Sequence, residues 1–164
     1  MGGGSVSVNS NFKYIVCNDI ITDLIGFYKE LYDKDINDVL NVLNEIKLDK
    51  EDQAAFNKFR DDYNTNPNPY KFFALCSSCT NNMMRFNKQF KFNQTFGKRT
   101  INDSTIQKLK DYSKALKSKN ILFTNMNFYD VPINKECFCY FDPPYYKKGE
   151  LLYLNHFFLL IFYK

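Results

Sequence analysis

Near its carboxyl end the chain reads Asp142-Pro143-Pro144-Tyr145, directly after the apolar run Cys137-Phe138-Cys139-Tyr140-Phe141. The run has the length and composition of a buried strand, so the carboxylate stands at a strand's carboxyl end. Two prolines stiffen the turn that follows and remove two N–H donors, which leaves nearby carbonyls free to accept from a ligand. Tyr145 adds a flat face on which a base can stack. An amine held between a carboxylate and a carbonyl, beneath an aromatic ring, is held as an exocyclic base amine must be to attack a methyl donor. Such an amine is a poor nucleophile because its lone pair is conjugated into the ring, and acceptors for its protons favour the geometry in which that pair localises.

A second group of residues lies at the start. Gly2-Gly3-Gly4-Ser5-Val6 is followed by a second apolar run, Tyr14-Ile15-Val16-Cys17, that ends in Asn18-Asp19. Glycines after a strand let the backbone approach a cofactor, and an acid closing the next strand suits a ribose diol. Here the acid follows the glycines by about 15 residues, against roughly 20 in the dinucleotide fingerprint. Two plainer readings stand beside this one: Met-Gly-Gly-Gly-Ser has the look of a linker, and Asp19 would serve equally as a helix N-cap.

With these residues in place the chain resembles the Dam-like DNA adenine methyltransferases, which use S-adenosylmethionine. Five segments carry the resemblance in the family's order: Gly2–Val6, Asn18–Ile25, Phe56–Arg60, Arg85-Phe86-Asn87 running to Phe92–Gly97, and Asp142–Tyr145. The resemblance implies that Gly2, Gly3, Gly4 and Ser5 form the loop around the cofactor's methionine part, and that Asp19 holds its ribose. Asn127 and Phe128 fall where the family contacts the cofactor's adenine, with an amide in place of the usual acid. Asp142, Pro143, Pro144 and Tyr145 would hold a flipped adenine for methylation at its exocyclic N6 amine, Asp142 also bordering the cofactor. Asn81, Asn82, Arg85 and Asn87 match the target-recognition segment, since Arg pairs with guanine and Asn with adenine in the major groove. Arg85 as a simple phosphate or surface contact remains an equal alternative. Lys88, Lys91, Lys98 and Arg99 would meet phosphates of double-stranded DNA without reading sequence. A cognate restriction endonuclease is the partner this implies.

The elements that must position these residues can be read from periodicity. A strand is expected near 12–18. Helices are expected over 20–32, 36–46, 50–63 and 70–78, each with apolar residues at helical spacing. The segment 85–97 alternates Phe with polar residues around Lys88-Gln89, which suggests a hairpin with Phe86, Phe90, Phe92 and Phe96 as its core. A helix over 104–116, N-capped by Asp103 or Ser104, precedes short strands at 121–123 and 137–141. The expected architecture is α/β: an incomplete Rossmann-like, doubly wound methyltransferase core (1–34 and 101–164), interrupted by a helical target-recognition insertion with its hairpin (35–100).

Charge is uneven along the chain. Residues 63–102 contain no acid against six bases, whereas 19–62 carry twelve acids against six bases. A basic stretch rich in Phe and Asn is a footprint for a polyanion, although a solvated lysine face would look the same. The net charge of +4 and 45% hydrophobic content describe a globular domain. The apolar run 157–163 is far short of a membrane span, and no export leader is seen, so a cytoplasmic, nucleoid-associated protein is expected. Cys76-x-x-Cys79 with Cys137-x-Cys139 could compose a four-thiolate zinc site, but free cysteines in apolar strands are more simply packing residues, so no metal is expected.

Against the family pattern the chain lacks a strand before its glycines and several elements after Tyr145. The expectation is therefore a shortened enzyme, active alone or with a complementing fragment. The alternative is a catalytically inactive, DNA-binding remnant.

Overall fold

A computed structural model describes residues 4–133, 137–142 and 158–163. The chain divides into two compact units, one made of 1–32 with 111–164 and the other of 33–110. The expected insertion, 35–100, falls within the second.

The first unit is built on a four-stranded sheet. In chain order its elements are α1 (Ser5–Asn9), β1 (Tyr14–Asn18), α2 (Thr22–Asp33), the last residues of α6 (Asp103–Lys117), β2 (Asn120–Thr124), β3 (Cys137–Asp142) and β4 (Phe158–Tyr163). The strand order is β2-β1-β4-β3. β1 pairs with β2 in parallel, and β4 runs antiparallel to both of its neighbours, so β1, β2 and β3 all point the same way. The doubly wound core expected from the sequence is a mostly parallel sheet, and β4 departs from that direction. Among the described residues it is the next strand after β3, and neighbouring strands can pair antiparallel without the crossover that parallel pairing demands.

Alternation along the strands sends side chains to two faces. On one, Val16, Ile161 and Cys139 share a row, with Ile161 fully buried beneath Val131 and Phe128. On the other, Ile15, Cys17 and Phe123 are buried, and the Tyr32 ring of α2 meets Phe123 edge-on at 5.6 Å. Ser113 Oγ donates to the Leu31 carbonyl at 2.7 Å, fixing the end of α6 against α2.

The second unit contains α3 (Ile36–Glu45), α4 (Gln53–Thr65), α5 (Pro69–Ser78) and the first turns of α6. Asp35, Asp52 and Asn68 cap α3, α4 and α5 by accepting backbone N–H bonds, and Pro69 opens α5 where a missing N–H costs nothing. The cap of α6 differs from expectation: Asn102 Oδ1 accepts from the Thr105 N–H at 2.9 Å, so Asn102, rather than Asp103 or Ser104, starts the helix.

The 85–97 segment also differs. It folds back through isolated bridges, Phe86 to Phe92 and Cys79 to Phe96, and not as a continuous hairpin ladder. Tyr63, Phe72, Phe86 and Phe92 pack edge-on, tilted or stacked with centroids about 6 Å apart, and Asn64 brackets Phe92 through both its backbone groups. Phe92 is core as expected, whereas Phe90 is 61% exposed. Gly97 is held against Cys79, and a Cβ there would collide with the Cys79 carbonyl.

Candidate active site

Strand register sets the geometry of the sheet's carboxyl edge. Asn18 of β1 and Phe141 of β3 both pair with Leu159 of β4, so they lie in one row. Asp19 and Asp142 each follow by one residue, which puts them at the same edge on strands that point the same way. Two strand spacings separate β1 from β3, on the order of 10 Å. Asn127 and Phe128 follow β2 on this edge, where Phe128–Asp130 forms a 3-10 turn and Asn127 Oδ1 accepts from the Tyr129 N–H.

Hydrogen bonds tie this edge together, and Asn18 is at their centre. It is fully buried, its Oδ1 accepts from Thr124 Oγ1 at 2.9 Å and from the Met126 N–H at 3.0 Å, and its Nδ2 donates to the Met126 carbonyl at 2.9 Å. Asn125 Nδ2 donates to the Asp19 carbonyl, and Thr22 Oγ1 bonds Asn125 Oδ1. Asp19 is buried and its Oδ1 accepts from the Ile21 N–H at 3.0 Å. Asp19 thus makes a local turn just ahead of α2, which begins at Thr22. Asp142 is exposed.

At the other side of the unit's first helix, Gly4 has φ 68°, the left-handed region that side chains rarely adopt. Its carbonyl accepts from the buried Ser7 Oγ at 2.6 Å. A Cβ on Gly4 would collide with the Tyr112 hydroxyl. The Tyr112 ring packs on Tyr28 with centroids 5.5 Å apart. Burial, then neighbouring Tyr112, then the Asp19 charge hold the Tyr28 phenol well above its ordinary range. Burial also pushes Tyr112 up, and pushes the adjacent Cys17 thiol up to about 12. Ser5 is exposed at the start of α1. Gly2, Gly3, Pro143, Pro144 and Tyr145 lie outside the described residues.

The residues expected to meet DNA belong to the second unit. Asn81 and Asn82 are exposed and both take left-handed backbone, as do Phe90 and Lys98. Asn82 Oδ1 accepts from Arg99 Nη1 at 2.8 Å. Asn87 builds a turn: its Oδ1 accepts from the Gln89 and Lys91 N–H groups, which engages the acceptor a base reader would offer. Arg85, Lys88, Lys91, Lys98 and Arg99 are exposed. Among the described residues no cluster of three or more His, Cys, Asp or Glu could hold a metal ion. Cys79 Sγ instead contacts the Cys76 and Met83 carbonyls at 3.4 Å. No helix among the described residues is long and apolar enough to cross a membrane.

Sequence reasoning paired Asn18 with Asp19 but missed what Asn18 does, and it missed Ser7, Tyr28 and Tyr112 altogether. Tyr28 carried one signal, as part of the apolar stripe of its helix. Nothing in the spacing of Tyr112 sets it apart from other residues of α6.

Residues 1–156 match the family described as D12 class N6 adenine-specific DNA methyltransferase. The chain belongs to that family. Among curated relatives, it is 34% identical to the type II methyltransferase M.MjaIII of Methanocaldococcus jannaschii, over 88% of this chain and 56% of that protein. It is 29% identical to the DNA adenine methylase of Serratia marcescens, over 88% of this chain and 55% of that protein. The modification methylase StsI of Streptococcus sanguinis is also 29% identical, with 23% of its length covered. This D12 chain therefore spans about half the length of the first two relatives and about a quarter of the third. Its matched region takes in the whole carboxyl edge of the sheet, from Asp19 to Asp142.

Proposed function

We propose that this D12 chain transfers a methyl group from S-adenosylmethionine to the N6 amine of an adenine flipped out of double-stranded DNA. The observation that carries the reading is the shared edge of β1 and β3, where Asp19 and Asp142 end parallel strands level with one another. In open α/β sheets the crevice outside the strands' carboxyl ends is where ligands bind.

The chain's residues fit the cofactor. Gly4, with left-handed backbone and the Tyr112 hydroxyl where a Cβ would stand, belongs to the glycine loop that would pass the cofactor's methionine part. Asp19 supplies a buried carboxylate for the ribose hydroxyls, and Asn127 and Phe128 flank the edge for the adenine. When bound, S-adenosylmethionine supplies an electrophilic methyl group. Asp142 and the Pro143 carbonyl accept hydrogen bonds from the target amine and so localise its lone pair, while Tyr145 stacks on the extruded base. Extrusion is required because the amine cannot be reached inside a duplex, and stacking offsets part of its cost. The basic 63–102 segment of the second unit holds the phosphates through Lys88, Lys91, Lys98 and Arg99, and Arg85 with Asn81 and Asn82 reads base edges. A Rossmann-like core completes the reading. Type II and modification enzymes among the relatives support a cognate restriction endonuclease as partner, and that reading has the protein working on DNA in the cytoplasm.

Calorimetric titration of S-adenosylmethionine into the purified chain tests the cofactor half. Binding in the micromolar range, weakened more than tenfold by Asp19→Ala, is expected. A folded chain that binds no cofactor would contradict it.

A further inference from the structure

Residues 87–91 form a tight turn that Asn87 holds through both its backbone and its side chain. The Asn87 N–H donates to the Lys91 carbonyl and the Phe90 N–H to the Asn87 carbonyl, each at 2.9 Å. Asn87 Oδ1 accepts from the Gln89 and Lys91 N–H groups at 2.9 and 3.0 Å. Three-residue connections of this kind commonly close on a residue in the left-handed region, where glycine fits with least strain. This chain has Phe90 there, with φ 57°.

The core gains little from that choice. Phe92, two residues on, is 1% exposed, whereas Phe90 is 61% exposed. A bulky residue held in strained backbone and turned largely to water calls for a reason at the surface. Its surroundings supply one. Lys88 and Lys91 beside it are exposed, and no acid occurs anywhere in 63–102. A flat apolar ring framed by cations suits a ligand made of flat rings on a phosphate backbone.

We propose that Phe90 is a DNA-stacking residue, its ring entering the base stack of a bound duplex while Lys88 and Lys91 hold the phosphates beside it. This rests on the DNA reading above and is independent of the cofactor. Apolar side chains inserted between base steps unstack them, and extruding a base requires the stack to open. The bonded turn fixes the ring in advance, so little ordering is lost on binding.

Duplex binding by the full chain, followed through the anisotropy of a labelled DNA, tests this. Phe90→Gly should bind about tenfold more weakly, the scale of one base–aromatic stack. Its slope of log affinity on log salt should keep the wild-type value because no phosphate contact is lost, whereas Lys88→Ala should lower the slope by about 0.9. Phe90→Gly should also melt at or above the wild-type temperature, since glycine relieves the left-handed backbone. The chain contains no Trp, so Phe90→Trp supplies a single indole whose emission should fall as duplex binds. Wild-type affinity in Phe90→Gly, or unchanged indole emission in a Phe90→Trp chain saturated with DNA, would overturn the inference and leave the DNA reading intact. Weaker binding with a lowered melting temperature in Phe90→Gly would also overturn it, showing that the ring only supports the turn. A wild-type chain that binds no duplex would remove the DNA reading itself, and the inference with it.

Discussion

At the scale of single residues, Asn18 does more than its sequence position suggested. A short polar residue after an apolar run reads as the strand's end, and Asp19 beside it drew the functional reading. Which backbone groups Asn18 would satisfy could not be read, because its partners, Thr124 and Met126, are more than a hundred residues away. Asn18→Ala should leave the Met126 N–H and carbonyl without their partner and cost about 3 kcal/mol of stability. Urea unfolding would measure this, and a loss within about 0.5 kcal/mol would show that Asn18 holds nothing together. Asn87 taught the converse. Its place between Phe86 and Lys88 resembled a base reader, yet local bonds to Gln89 and Lys91 make it a turn former, a competition that Asn side chains commonly win.

Among elements, the helices were the most legible part. Their apolar stripes repeat at helical spacing and their caps are short polar residues, so α2 to α6 lie within three residues of their expected ends. The 79–97 stretch was less so, because alternating Phe and polar residues describe a ladder as well as a clustered loop. What folds it is an aromatic cluster plus a close backbone approach at Gly97, neither of which has a periodic signature. Gly97→Ala should force its Cβ into the Cys79 carbonyl and destabilise the second unit by about 3 kcal/mol, the scale of a severe overpacking change. Thermal unfolding of the variant would check this, and an unchanged midpoint would mean the approach relaxes freely.

For the whole molecule, the α/β character was readable from alternating elements, but the sheet's mixed direction was not. Pairing direction depends on which strands meet, and β4 joins two strands that precede it in the chain by very different distances. The unit built on that sheet also buries Cys17 and Tyr28 in their neutral forms. Unfolded, Cys17 ionises near 9.0, whereas burial in the folded chain pushes it up to about 12. Tyr28 is raised in the same way from an ordinary 10.0. Above pH 9 the folded chain therefore holds more protons than the unfolded chain, and stability falls as pH rises, by up to about 1.4 kcal/mol per unit for each group. Melting temperatures under reducing conditions should be steady from pH 7 to 8.5 and fall steeply from 9 to 11. A flat profile would contradict burial of these groups.

In the proposed function, the carboxyl edge of the sheet methylates adenine in DNA. Incubating the chain with S-adenosylmethionine and unmethylated duplex DNA, then resolving the digested nucleosides by mass spectrometry, tests it most directly. N6-methyl-deoxyadenosine from the wild type, reduced at least a hundredfold (about 2.7 kcal/mol of barrier) in Asp142→Ala, is the expected result. A chain that binds cofactor and DNA yet leaves every adenine unmethylated, or transfers equally well without Asp142, would contradict it.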